Sequence, residues 1–215
     1  MPEQFFVTGT DTGVGKTVVS ALLCAGLEAV YWKPIQTGTR EGTDTKTVLQ
    51  LAELPRQRSI PELYRFAPPV SPHLAAELAG VRIEMGRFRV PRTVKSKNLI
   101  VEGAGGVLVP INERYLMVDL MKRLKLPVLL VSRTSLGTIN HTLLSLAALR
   151  SAKIAVRGVV LVGKENRENR RAIDQYGGQY GHVKVVGWVP LLRKIDRTAL
   201  LRIFHNEFDR RAFVK

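Results

Sequence analysis

Gly15-Lys16-Thr17 closes a loop that follows Phe5-Phe6-Val7 and Gly9, and a second apolar stretch runs from Val18 to Ala25. Those residue types in that order suit a phosphate. Successive backbone N–H groups can face an anion, a lysine can reach the terminal phosphates, and a threonine hydroxyl can ligate magnesium. The common form of this loop carries a glycine five residues before its Gly-Lys pair. Here that position is Thr10, and the nearest glycine is Gly9. A surface turn that happens to read Gly-Lys-Thr is the competing interpretation. The apolar runs on both sides supply a strand, a loop and a helix, which favours a nucleoside triphosphate site.

Three further residues complete a candidate set. Lys33 follows the apolar Val30-Tyr31-Trp32 and opens Pro34-Ile35-Gln36-Thr37-Gly38. In an open parallel sheet that end of a strand is where ligands bind, although a lysine there also fits a solvated boundary. Asp44 lies in Gly42-Thr43-Asp44-Thr45, and Glu102 ends Leu99-Ile100-Val101 before Gly103-Ala104-Gly105-Gly106. A carboxylate on a buried strand end needs a partner. Magnesium takes oxygen ligands and commonly only one or two carboxylates beside phosphate and water. Thr17, Asp44 and Glu102 are therefore the expected metal set, with a plain helix N-terminal charge as the alternative for Asp44.

The elements that must position these residues alternate. Apolar runs at 4–8, 29–32, 98–101, 127–131, 156–162 and 183–189 predict strands buried on both faces. Helices are predicted over 16–27, 43–54, 115–124, 138–151, 167–176 and 196–208. This is the pattern of a single-domain α/β, P-loop NTPase-like fold, a mostly parallel sheet with helices on both faces. Leu200, Phe204 and Phe208 fall on one row of the last helix, which predicts docking on the sheet's flank rather than on a membrane surface. Residues 55–95 hold six of the eleven prolines and read as an insertion in one domain spanning 1–215, with a short helical piece at 73–78.

Composition bounds the rest. At 215 residues and 45% hydrophobic content, the chain can bury a core without disulfides or structural metal. Its single cysteine, Cys24, sits in the apolar face of the first helix and reads as a small buried hydrophobe, which suits a reducing cytoplasm. No segment resembles a signal peptide or a membrane span, so a soluble protein without a membrane partner is expected. The net charge of +15 is spread from Arg56 to Arg211, with few interleaved aromatic residues. That spread predicts a solvated basic surface and no nucleic-acid partner.

Taken in order, Thr8-Gly9-Thr10-Asp11-Thr12 through Gly15-Lys16-Thr17, Lys33-Pro34, Ser71-Pro72-His73, Val101-Glu102-Gly103-Ala104-Gly105-Gly106 and Leu136-Gly137-Thr138-Ile139-Asn140-His141 resemble the motifs of the dethiobiotin synthetase family. The resemblance runs nearly end to end. It implies a homodimer that uses ATP, magnesium, carbon dioxide and 7,8-diaminononanoate, and closes a cyclic urea through a carbamate and a carbamic-phosphoric anhydride. It further implies that Lys16, Lys33 and Thr37 act in catalysis. Thr12, Gly13, Val14, Gly15, Lys16, Thr17, Asp44, Glu102, Gly103, Ala104, Gly105, Val162, Pro190 and Leu191 would meet ATP. Thr10, Lys33 and Thr37 would meet the diamine, with Ile139 and Asn140 holding its carboxylate from the neighbouring subunit. His141 is expected to pack or cap, and Trp188 to fill the core. Gly13 replaces an acidic residue of some relatives, and Val162 replaces an asparagine that reads adenine in many members. That second departure implies tolerance of other bases.

Two rivals share the core architecture. A partitioning-type switch ATPase would fit the basic charge, but such proteins usually carry a second lysine near the loop's start, and Gly9-Thr10-Asp11 offers none. An amide-forming ligase of cofactor synthesis commonly brings a glutamine-hydrolysing partner domain, and the lone Cys24 is in the wrong setting for one.

Overall fold

The computed structural model describes residues 2–213. Along the chain run β1 (Gln4–Gly9), α1 (Lys16–Gly26), β2 (Val30–Trp32), β3 (Ile35–Gln36), α2 (Asp44–Leu51), β4 (Ser59–Ile60), β5 (Tyr64–Arg65) and α3 (Pro72–Leu78). They are followed by β6 (Leu99–Gly106), α4 (Met117–Leu124), β7 (Val128–Arg133), α5 (Thr138–Ser151), β8 (Val156–Val162), α6 (Arg167–Gly177), β9 (Val185–Val189) and α7 (Arg197–Glu207). Seven strands form one parallel sheet in the order β4-β2-β6-β1-β7-β8-β9, and β3 pairs with β5 beside it.

Side chains alternate across a strand, and the sheet divides its apolar residues accordingly. Phe6, Leu99, Val101, Val128 and Leu130 face one core with α3 to α6. Phe5, Val7, Ile100, Leu129 and Val131 face the other with α1, α2 and α7. Covering both faces is what makes the strands read as unbroken apolar runs. Cys24 is buried in the second core, where desolvation pushes its thiol pKa up. Leu200, Phe204 and Phe208 are buried in that core too, so the last helix docks as expected.

Several boundaries differ from the sequence reading. The short strands β3, β4 and β5 lie outside the predicted runs, because two residues carry too little periodicity to register. The second helix stops at Leu51 rather than 54: Glu53 turns left-handed at φ 49° and Pro55 follows. The helix expected from 115 begins at Met117, where the Asp119 carboxylate accepts the Leu116 N–H at 2.8 Å. Glu102 does not end its strand. β6 runs on to Gly106, which pairs with Gly9 of β1 across a register shift. A Cβ on Gly106 would lie 3.3 Å from the Thr10 carbonyl oxygen, a tight contact that the loop would have to relieve. In the proline-rich stretch, Tyr64, Phe66, Ile83 and Phe88 are buried in the first core, and β4 supplies the sheet's edge.

Candidate active site

The phosphate loop spans the end of β1 and the start of α1. Gly15 stands at φ 98° as the N-cap residue of α1, and no side chain caps the first turn. Its α-carbon lies against Val162, whose Cγ1 would be 2.9 Å from an added Cβ, so both conformation and space require glycine. The unshielded N-terminal amides and the helix dipole favour an anion. Lys16 reaches back across this loop and donates to the Asp11 carbonyl at 2.8 Å. Burial, followed by the Lys33 charge, lowers its pKa to about 8. Outside the loop, Arg133 at the end of β7 donates to the Asp11 carboxylate at 2.8 Å and to the Thr12 carbonyl at 3.1 Å.

A cavity of about 660 Å³ opens beside the loop. Register brings its polar floor together: Trp32 of β2 pairs with Val101 of β6, and the next residues along are Lys33 and Glu102. The Lys33 ammonium lies 2.9 Å from Glu102 Oε1 and 2.6 Å from Asp44 Oδ2. It also donates to the Gly103 carbonyl at 3.2 Å. Lys33 is 4% exposed and Glu102 is 1% exposed, so these charges meet away from water. Burial acts to lower the Lys33 pKa, but the two carboxylates outweigh it and the pKa is raised. Burial likewise acts to raise the Asp44 pKa; the Lys33 charge and hydrogen bond overcome it, and the carboxyl ends below its ordinary value.

Thr17 is the hub of the expected metal set. Its hydroxyl lies 3.0 Å from Asp44 Oδ1 and 3.1 Å from Glu102 Oε1. One hydroxyl and two carboxylates are hard oxygen donors, too few to enclose an ion alone, which fits magnesium completed by phosphate and water.

Thr12, Gly13, Gly15, Lys16, Thr17, Lys33, Thr37, Asp44, Glu102, Ala104 and Gly105 all line the cavity. The other candidates lie elsewhere. Val14 is buried in the second core, Thr10 holds the loop to β7 through Val131, and Gly103 offers its carbonyl beneath. Val162 ends β8, Pro190 and Leu191 follow β9, and Ile139 and Asn140 open α5. His141 is exposed near Gly137, while the half-buried Trp188 indole donates to the Gly163 carbonyl at 3.0 Å.

Sequence reasoning missed three residues that shape the site. Gln36 accepts the Asp44 N–H at 2.9 Å and donates to the Thr37 carbonyl at 2.7 Å, tying two site residues together. The Tyr31 hydroxyl donates to Glu102 Oε2 at 2.9 Å. A tyrosine within a buried strand was the available signal, since its hydroxyl needs a partner. Arg133 carried no such signal, because its contact spans distant parts of the chain.

A parallel sheet with a phosphate loop after its first strand, facing a buried lysine and two carboxylates, defines a P-loop enzyme dependent on a nucleoside triphosphate. A family profile described as an AAA domain matches residues 3–199. The cell division ATPase MinD of Pyrococcus furiosus shares the fold, with a TM-score of 0.53 at 14% identity, covering 95% of this chain and 98% of that one. The chain is 47% identical over 215 residues to the ATP-dependent dethiobiotin synthetase BioD of Nitrobacter hamburgensis, covering 100% of this chain and 99% of the relative. It is 46% identical to the BioD of Agrobacterium fabrum, with the same coverage. The chain belongs to the ATP-dependent dethiobiotin synthetase family, whose members are ligases.

Proposed function

We propose that the protein carboxylates 7,8-diaminononanoate with carbon dioxide and closes it to dethiobiotin, converting ATP to ADP and phosphate. The observation that carries this reading is the Lys33 ammonium, buried between Glu102 and Asp44 in the same cavity as Lys16. One substrate amine takes up carbon dioxide as a carbamate. A carbamate oxygen attacks the γ-phosphorus, ADP leaves, and the second amine then attacks the carbamoyl carbon and expels phosphate. Charge concentrates where phosphate and carbamate meet, so the protein's contribution is mainly positioning and electrostatic stabilisation.

Each residue has a part in this scheme. Lys16 and the amides from Thr12 to Thr17 hold the β- and γ-phosphates. Lys33 bridges the carbamate and the transferred phosphoryl group, leaving its resting carboxylate partners as anionic substrate arrives. Thr37 orients the diamine, and Thr10 is assigned to the same substrate from the base of the loop. Thr17, Asp44 and Glu102 would hold Mg2+, which supplies neutralisation of phosphate charge. Gly103, Ala104 and Gly105 border the phosphates, and Val162, Pro190 and Leu191 form the base side.

We assign a homodimer in which Ile139 and Asn140 receive the substrate carboxylate of the neighbouring subunit. In support, no side chain caps the start of α5, and the adjacent Leu136 is wholly exposed. We assign the enzyme to the cytoplasm, a reducing compartment that its free, buried Cys24 suits, and no helix among the described residues is long and apolar enough to cross a membrane. The scattered basic residues need neither nucleic acid nor membrane. Incubation with the diamine, ATP, magnesium and labelled bicarbonate tests the reading: label appears in a cyclic urea. Salt-sensitive DNA binding without such turnover would overturn it.

A further inference from the structure

Ser71 is the N-cap residue of α3, yet its side chain accepts no hydrogen bond from the helix. Serine at this position ordinarily satisfies an amide of the first turn. Here the hydroxyl lies 3.0 Å from Nδ1 of His73 instead. Pro72 at the first helical position has no N–H, and the His73 N–H is taken by the Pro110 carbonyl at 3.3 Å. The helix start therefore uses the Ser71 carbonyl, which accepts the Ala75 N–H at 2.9 Å, and not its hydroxyl, which is left to serve something else.

The two residues face different spaces. Ser71 lines the cavity that holds Lys16 and Lys33, whereas His73 lines a second groove of about 680 Å³ bounded in part by Glu77, Arg82, Asn112 and Glu113. Among the described residues, His73 is the one imidazole whose ring is hydrogen-bonded to a residue of the active-site cavity. The pair thus connects the reaction space with a second groove that carries charged side chains.

The reaction needs such a route. A C–N bond formed on either neutral amine leaves that nitrogen with one proton too many, first in the carbamate and again on ring closure. Asp44 and Glu102 face Lys33 at rest and would face Mg2+ once Lys33 turns to the substrate, and a carboxylate held by a cation is a poor proton acceptor. Glu41 also borders the cavity but is exposed on the turn Thr39–Glu41.

We propose, resting on the cyclic-urea reading above, that Ser71 and His73 form a proton relay from the substrate amines to solvent. The amine N–H proton passes to Ser71 Oγ as the serine proton passes to His73 Nδ1. The Nε2 proton then leaves to water in the second groove, and solvent exchange returns the imidazole to its Nε2–H tautomer before the proton of ring closure arrives, so no charge accumulates beside the lysines. Ser71 touches the substrate, and His73 is a positioning residue that acts through it.

Turnover of labelled bicarbonate by wild type, Ser71→Ala, Ser71→Thr, His73→Ala and Glu41→Gln tests the relay. The expected result is a kcat lowered by about 10²-fold in Ser71→Ala and His73→Ala, the low end for general acid–base catalysis, with KM for ATP and diamine within about threefold. Ser71→Thr keeps the hydroxyl and stays near wild type. Added imidazole restores His73→Ala but not Ser71→Ala, a response that loss of mere helix packing does not give. Unimpaired kcat in His73→Ala, or an equal loss in both alanine variants without imidazole rescue, overturns the relay. So does a loss of kcat that appears in Glu41→Gln and not in Ser71→Ala. Urea formation by wild type beside any of these outcomes leaves the overall reaction standing, whereas no urea from wild type overturns both.

Discussion

The Tyr31 hydroxyl donates to Oε2 of Glu102 at 2.9 Å, and both side chains are closed to solvent. This bond fixes the carboxylate from below, so that Oε1 is the oxygen shared by Lys33 and Thr17. Burial, reinforced by the Glu102 charge, pushes the tyrosine pKa well above its ordinary value, and the hydroxyl remains a donor. Tyr31→Phe keeps the ring and removes that donor. It should lower stability by about 1–3 kcal/mol, the cost of leaving a buried polar group unpaired, as read by urea unfolding. Mn2+ binding in the presence of ATP should weaken as Glu102 loses its orientation; unchanged binding would mean that Lys33 and Thr17 hold the carboxylate unaided.

Lys33→Ala should separate binding from chemistry. In the proposed scheme Lys16 and the loop amides hold ATP, whereas Lys33 is the ammonium paired with both carboxylates and assigned to the carbamate and the transferred phosphoryl group. Its removal should lower kcat by at least about 10²-fold, as expected for a lost transition-state charge contact, and alter the ATP dissociation constant by less than about threefold. Steady-state kinetics beside calorimetric ATP titration checks this. Similar losses in both would move Lys33 from catalysis to nucleotide binding.

Lys16 makes a pH prediction with a definite sign. Its pKa falls from 10.5 to about 8 in the folded protein, chiefly through burial and then through the Lys33 charge. Between those values the unfolded chain holds more protons, so this group's contribution makes stability rise as pH goes from about 8 to about 10.5. Binding runs the other way. Above pH 8 the free enzyme must take up a proton to meet triphosphate with a charged lysine, so ATP affinity should fall there. Calorimetry at pH 8.5 in buffers of different ionisation enthalpy should report that uptake, and at pH 6.5 should report little from this group.

Much of this site was legible because its chemistry lies in local motifs. Gly15-Lys16-Thr17, Lys33 and Glu102 each adjoin an apolar run, and the parallel register then brings the runs together. What stayed hidden depends on contacts without a local signature. Gln36 joins Asp44 to Thr37 through its two amide atoms, and Arg133 reaches a loop 122 residues away in sequence. The continuation of β6 through Gly106 was obscured for another reason. Glycines usually weaken a strand, but here they admit the close approach of the phosphate loop.

Base preference should follow Val162. At the end of β8 its methyl groups pack on Gly15, and an isopropyl group forms no hydrogen bond with a base edge. Sites that discriminate strongly do so by burying polar groups that the wrong ligand leaves unpaired. Steady-state kcat/KM for ATP, GTP and CTP should therefore agree within about tenfold, the scale of selection by apolar contact and shape. A preference for ATP of about 10³-fold or more would assign base recognition to other polar groups near β9.

Leu136 tests the proposed dimer. It is wholly exposed, immediately before Gly137, which turns at φ 89° to start α5. Burying a leucine at an interface stabilises it by about 1.5–3 kcal/mol, whereas a charge placed there must be desolvated against apolar surface. Leu136→Asp should therefore dissociate the dimer in sedimentation velocity while leaving far-UV circular dichroism unchanged, since the side chain touches no core. If Ile139 and Asn140 serve the neighbouring subunit, KM for the diamine should rise with dissociation and fall again at high protein concentration, while ATP binding stays near wild type. A monomeric variant with an unchanged diamine KM would place the carboxylate site within a single subunit.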